Sequence, residues 1–206
     1  MEDLTPRERR QQRTYDAILK TAIEIVREKG ADKLSLREIA RRIDYSPAGL
    51  YEYFDSKDDI IDAICREGNA RLYQRMKRAN TALDFDDYML ALSREYIRFA
   101  VEDSDYFLLM FSRVVPREVE ISADELLTYV PSEDDSMTPA YNAIQKAIEA
   151  GMIESNNQPT MQVALGFWSV VHGLAMLRIT HWADYPIDFE IIETNTVRTF
   201  LRGIRK

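Results

Sequence analysis

One cysteine, Cys65, stands in a chain of 206 residues. A disulfide framework within the chain is thereby excluded, and the usage predicts a reducing, cytoplasmic setting. Set among Ile61, Ile64 and Leu72, the thiol reads as a small buried hydrophobe, with a redox sensor as the alternative. Seven Gly and seven Pro are few for this length and predict long helices rather than turn-rich β structure. The two histidines, His172 and His181, are nine residues apart and do not share a helix turn. Neither has a Glu three residues before it, since Ser169 and Arg178 stand there, so the Glu-x-x-His pattern of helical-bundle metal sites is missing. H-E-x-x-H, C-x-x-C, G-x-S-x-G and Gly-rich phosphate loops are absent as well. These absences predict that the chain is no enzyme and holds neither metal nor cofactor. The N-terminus is charged, without an apolar h-region, which predicts no secretory signal. Even Val163–Ile179 is interrupted by Gly166, Ser169, His172 and Arg178, which predicts no membrane span.

What is present is charge, unevenly spread. The 27 basic and 35 acidic residues give a net charge of −8, the wrong sign for contact with nucleic acid. From Arg7 to Lys57, however, there are 12 basic and 9 acidic residues, or +3, which leaves 15 basic and 26 acidic residues, or −11, for the rest. Phosphate binding depends on the field within a Debye length of about 8–10 Å, so an acidic body does not forbid a basic head.

That head contains the stretch SLREIARRIDYSPAGLYEYFDSK, Ser35 to Lys57. Ser35 with Glu38 forms the S-x-x-E pattern of a capping box. Leu36, Ile39, Ala40 and Ile43 follow at helical spacing on one face. Asp44 and Tyr45 make a turn, Ser46 caps a second helix, and Pro47 takes its first position, where a missing N–H is no loss. Ser46, Pro47, Ala48 and Gly49 are small and let a backbone approach a surface closely. Tyr51, Tyr53 and Lys57 add hydroxyl and ammonium donors of the kind that hold phosphates. Any helix pair uses such caps, and the flanking Arg7, Arg9, Arg10, Arg13, Arg37, Arg41 and Arg42 are what favour a helix-turn-helix shaped for a major groove.

The succession of a long amphipathic helix, S-L-R-E-I-A and Y-S-P-A-G-L-Y-E-Y-F-D-S-K-D-D-I resembles the TetR-type transcriptional regulators over about residues 8 to 72. In that family the segment Gly49 to Lys57 corresponds to the recognition helix and the start of the next helix. The resemblance implies DNA-binding roles for Ser35, Arg37, Ser46, Pro47, Ala48, Gly49, Tyr51, Tyr53 and Lys57. Tyr53 departs from the pattern, because relatives often carry histidine there. It further implies a bacterial cytoplasmic homodimer, usually a repressor, that binds a palindromic double-stranded operator and releases it on binding a small effector. The alternative is a helical protein-interaction module without DNA binding.

Beyond the head the pattern is helical throughout, and the expected fold is all-α. The first long helix is expected over Pro6 to Lys29, closed by Gly30. A fourth helix, capped by Ser56, is expected to run to about Arg78 and to contain the boundary between a DNA-binding domain at 8–72 and a regulatory domain at 73–206. Tyr106-Phe107-Leu108-Leu109-Met110-Phe111 is apolar on every side and is expected to be buried. The segment 131–139 reads as a loop, and helices follow to Gly151, from Pro159 to Trp182, and from Asp188 to Arg202. Tyr96, Phe99, Phe107, Met110, Phe111, Phe167 and Trp168, together with His172, either line an effector pocket or simply fill the core. His172 is either an effector-binding group or a satisfied histidine between helices. Trp168-x-x-x-His172-Gly173 also looks like the W-x-x-x-H-G signature in the C-terminal domain of one TetR subgroup. A mostly apolar effector is expected, with Arg113 and Arg178 each either an exposed, solvated arginine or a counter-ion to any anionic group.

Overall fold

The computed structural model describes residues 5–112, 122–154 and 158–206; Arg113 lies outside them. Ten helices account for the described fold: α1 (Pro6–Lys29), α2 (Leu36–Arg42), α3 (Pro47–Leu50), α4 (Lys57–Met76), α5 (Phe85–Glu102), α6 (Ser104–Ser112), α7 (Ala123–Thr128), α8 (Thr138–Glu149), α9 (Thr160–Thr180) and α10 (Phe189–Gly203). Extended pairing among the described residues amounts to one isolated bridge between Ile153 and Arg205. The chain divides into two compact units. One runs to Gly68 and takes in Leu108–Ser112; the other holds Asn69–Phe107 and the remainder, so α4 and α6 each contribute to both.

In the first unit, α1 begins with a full capping box, Thr5 accepting from the Glu8 N–H while the Glu8 carboxylate accepts from the Thr5 N–H. Ile18, Leu19, Ala22 and Ile25 form its buried face, packed on α2. Leu36, Ile39 and Ala40 from α2, Leu50 from α3, and Ile60, Ile61 and Ile64 from α4 complete the core. Each large side chain buried there contributes about 1.5–3 kcal/mol relative to exposure. Tyr15 stacks on Phe54 at 5.3 Å between ring centroids. Cys65 is half-buried rather than buried, its thiol 4.0 Å from the Leu109 carbonyl oxygen.

The second unit is organised on α9, which packs against α5, α7, α8 and α10. Apolar on all sides, this helix is long and apolar enough to cross a membrane by length and composition alone, contrary to the expectation from its polar interruptions. Of those interruptions Ser169 is muted, because its hydroxyl donates to the Leu165 carbonyl of its own helix at 2.7 Å, as Thr180 just beyond them does to the Met176 carbonyl at 2.6 Å. In this fold Met161, Val163, Phe167 and Leu174 are buried against neighbouring helices. Nearer the start of the unit, Arg75 reaches Glu102 at 2.7 Å and Asp103 at 2.8 Å. Arg71 lies over the Tyr106 ring at 4.3 Å, so the last turns of α4 are tied to the α5–α6 turn.

Two helices differ from expectation. Only Phe107 and Leu109 of the apolar Tyr106–Phe111 stretch are buried, and Leu108 is 37% exposed. Phe107 and Leu109 point to opposite sides of a short helix, and the sides between them stay partly open. The second helix of the helix-turn-helix is a single turn, Pro47–Leu50. Past it the Glu52 N–H closes on Gly49 and the Tyr53 N–H on Leu50, both three-residue closures, before the Phe54 N–H returns to Leu50 over four residues, so the chain remains coiled through Phe54 without extending the helix.

Between α2 and α3, Asp44 adopts φ 52°, and among the described residues no other non-glycine has positive φ. The Tyr45 N–H then closes back on the Ala40 carbonyl at 2.9 Å, the long-range bond of a Schellman-type stop. Asp tolerates this left-handed backbone, whereas a β-branched residue does not. Asp44→Val is therefore expected to lower the unfolding free energy by about 1–2 kcal/mol, and Asp44→Gly to change it by less than about 1 kcal/mol. Denaturant titration of the two variants checks this; equal losses would show that backbone strain at this turn is not the determinant.

Candidate functional site

The candidate interface is built on three successive helix starts. Ser35 accepts the Glu38 N–H at 3.3 Å, Ser46 the Gly49 N–H at 2.9 Å, and Ser56 the Asp59 N–H at 3.1 Å. Ser35 and Ser46 are thus engaged with their own helices, although both remain exposed. The Ser35 box is only half made, because the Glu38 carboxylate turns elsewhere. It accepts from Lys29 at 3.2 Å, from Arg41 at 2.9 and 3.0 Å, and from Arg42 at 3.2 Å. Arg42 also forks onto Glu28 at 2.6 and 3.1 Å. The cluster clamps the end of α1 to α2.

Charge in this cluster is strongly fixed. The Arg41 guanidinium first, then the Lys29 ammonium and Arg42, hold the Glu38 carboxyl at about 2 instead of 4.5. Pairing with Glu28 above all raises the pKa of Arg42. Arg41 and Arg42, which the sequence suggested as part of a general basic flank, are therefore neutralised locally. Arg37 and Lys57 are different: both are exposed, and neither makes an ion pair among the described residues. Glu38 as an organiser was missed from sequence, although carboxylate-to-arginine spacings of three and four residues were there to read.

On α3, Pro47 and Ala48 are exposed and present a small surface. Gly49 has a reason internal to the fold as well. A Cβ there would lie 2.6 Å from the Tyr45 ring and 3.0 Å from the Ser46 hydroxyl, so the glycine lets the Tyr45 ring lie across the turn. Tyr51 is 57% exposed. Tyr53 is half-buried, edge-on to Tyr45 at 6.4 Å, and its hydrogen bond is the main cause of the raised Tyr45 pKa. With Glu8, Gln11, Gln12 and Tyr15 of α1 it lines a small cleft of about 280 Å³, so its ring serves the head's own packing as well as its surface.

The second set of candidate residues does not gather at one place. Trp168 donates its indole N–H to the Tyr96 oxygen at 3.0 Å, and Tyr96 lies 2.9 Å from His172 Nδ1. Indole can only donate, so the phenol hydrogen is free to go to Nδ1. That assigns the proton of a neutral His172 to Nε2, and burial lowers the His172 pKa in the same sense. Phe107 stacks on His172 at 5.4 Å and meets Phe99 at 6.3 Å. Phe167 lies on another side of α9, against Phe200 at 6.1 Å, while Met110 and Phe111 are half-buried members of the first unit. Tyr96, Phe99, Phe107 and Phe167 are all buried, and burial raises the Tyr96 pKa. Arg178 is committed to Glu193 at 2.5 Å.

Residues 18–64 match the bacterial regulatory proteins of the tetR family, and residues 89–200, more than half of the chain, match the tetracyclin repressor-like C-terminal domain. The chain belongs to the TetR family. It is a DNA-binding transcriptional regulator with a helix-turn-helix, as the motif implied. Among curated relatives, the TetR-family chain is 23% identical over 191 residues to the uncharacterized HTH-type transcriptional regulator YobS of Bacillus subtilis, covering 93% of this chain and 92% of that protein. The HTH-type transcriptional regulator UidR of Escherichia coli is 34% identical over 79 residues, 38% of this chain and 40% of that one. Among solved structures, a protein with unknown function from Rhodococcus sp. RHA1 superposes with a TM-score of 0.70 at 23% identity, over 93% of this chain and 95% of that one. The TetR family transcriptional regulator PfmR from Thermus thermophilus gives 0.64 at 20% identity, over 92% and 99%. At these identities the structural likeness establishes the fold.

The Glu38 cluster makes the TetR-type head sensitive to acid. Its carboxyl has a folded pKa below its ordinary 4.5, so its stabilising contribution is present above about 4.5 and is lost as pH falls toward about 2. Thermal melts followed by circular dichroism across that window are expected to fall more steeply for the wild type than for Glu38→Gln. Parallel curves would mean the cluster is screened into irrelevance.

Proposed function

We propose that this chain is a ligand-responsive repressor that binds a palindromic operator as a homodimer, with a DNA-binding domain at 8–72 and a regulatory domain at 73–206. The observation that carries the reading is the set of open donors around the capped turn. Tyr51 is 57% exposed, and Arg37 and Lys57 are exposed without an ion pair among the described residues, whereas Arg41 and Arg42 are held by Glu28 and Glu38. In the proposed contact Tyr51, Lys57 and Arg37 meet phosphates, with Ser35 and Tyr53 beside them, while Ser46, Pro47, Ala48 and Gly49 pass close to base edges. Effector binding in the body changes the state of α4, a single helix with residues in both units, and with it the spacing of the two heads. Two heads must match half-sites about 34–36 Å apart, so a small change is enough.

Support for a homodimer comes from α9. Val163, Phe167 and Leu174 are buried within the unit, but Leu165, Val170 and Leu177 remain half-exposed, and Ile191 on α10 is 58% exposed. A two-fold interface on these helices would cover that surface and give the symmetry a palindrome requires. Sedimentation at micromolar concentration is expected to return a dimer, and a stable monomer would rule out the proposed arrangement.

Selection of bound duplexes from a random pool by the purified protein is expected to return an inverted repeat. Against that site, Lys57→Ala and Tyr51→Phe should weaken binding at all sequences alike, with the lysine variant lowering the salt slope by about 1. Substitution at Ala48 should change sequence preference instead. A Lys57→Ala variant with altered preference and unchanged affinity would reverse these roles.

A further inference from the structure

Between the end of α4, the turn after it and α8 lies a cleft of about 840 Å³, away from the Tyr96–His172 cluster and lined by none of its residues. Tyr73, Phe85, Tyr88, Leu83 and Met152 give it an apolar surface. Leu83 and Met152 are each 40% exposed, so the cleft leaves large apolar side chains facing water, an unfavourable arrangement that an apolar occupant would relieve.

Its charges run against the rest of the chain. In a protein with 35 acidic and 27 basic residues, the cleft carries Lys77 and Lys146 against one carboxylate, Glu133. Lys77 follows the last residue of α4 and holds its ammonium 5.3 Å from the Tyr73 ring centroid. Lys146 stands in the last turn of α8. Neither lysine makes an ion pair among the described residues, not even with Glu133. Several other cations of this unit are committed: Arg75 to Glu102 and Asp103, Arg94 to Glu190, Arg178 to Glu193 and Arg205 to Asp86. Burial raises the Tyr88 pKa, so its phenol stays protonated and able to donate. The Tyr96 cluster, by contrast, has its donors and acceptors turned on one another.

We propose that this cleft is the effector site and that its ligand is a small apolar carboxylate. The ring or chain lies on Tyr73, Phe85 and Tyr88, and the carboxylate is held at the lysine-bearing rim. The inference rests on the reading of the chain as a ligand-responsive regulator and gives its mostly apolar effector an anionic group held by lysines. Because the occupant touches the end of α4 as well as α8, its affinity and that for DNA are coupled reciprocally.

The probes are octanoate and 4-phenylbutanoate, with octanol and octylamine as neutral and cationic controls, titrated calorimetrically into the full chain. Wild-type protein is expected to bind at least one carboxylate about tenfold or more tighter than octanol, and Lys77→Gln/Lys146→Gln to lose that preference while binding octanol unchanged. Both lysines are exposed, so the double variant is expected to fold normally, which an unchanged melting curve verifies. No carboxylate binding, no preference over octanol, or a preference that survives in the double variant would overturn the site. DNA titration separates the two readings. Lysine-dependent binding with unchanged DNA affinity keeps the site and removes ligand control; DNA release that is equal in wild type and double variant keeps ligand control and removes this site.

Discussion

A chain made of helices must satisfy the backbone N–H groups that open each one, and much of this structure follows from how it does so. Among the described residues, seven helix starts use a side chain for the purpose: Thr5, Ser35, Ser46, Ser56, Asp84, Ser122 and Asp188. Three of these lie within the short span from Ser35 to Ser56, where each cap fixes the direction in which the next element leaves. The left-handed Asp44 sits between the first two. Helix length there is limited by capping and turn closure rather than by propensity, which is why a one-turn α3 can be held in place at all. The same caps expose the small residues after Ser46 and the donors that follow.

Much of this was legible in the sequence because capping residues, glycine stops and apolar spacing are local signals. Helix α1 begins and ends where Pro6, Lys29 and Gly30 predict, and the last two helices fall within two residues of their expected bounds. The departures arise where the deciding partner is distant or where two local uses compete. Glu38 could complete its capping box or gather arginines, and three cations outweigh one backbone N–H. The length of α3 depended on whether closure after Leu50 would tighten, which no single residue announces. Phe167 and Trp168 are adjacent in sequence and so point to different sides of α9, one toward Phe200 and the other toward Tyr96. Lys77 and Lys146 line one cleft from elements far apart in the chain, a proximity that no spacing rule provides.

The head and the body use charge in opposite ways. In the head, carboxylates consume some of the arginines and leave others open, so a modest net +3 over Arg7 to Lys57 is concentrated into a few available cations. In the body many cations are committed to carboxylates, and the −11 carried outside Arg7 to Lys57 opposes indiscriminate attachment to nucleic acid. Selectivity of this kind is a property of pairing, not of net charge. A count of basic residues would have ranked Arg41 and Arg42 equal to Arg37.

The Trp168–Tyr96–His172 relay has a direction, because an indole N–H cannot accept. Protonating His172 would make the imidazole a donor toward the phenol oxygen, which already receives the Trp168 N–H, and the phenol hydrogen would have to turn away. An indole hydrogen-bonded through one hydroxyl to a titratable ring emits differently in the two states. With only Trp168 and Trp182 in the chain, the relay carries its own fluorophore, one whose emission reads the protonation of a half-buried histidine set among aromatic rings.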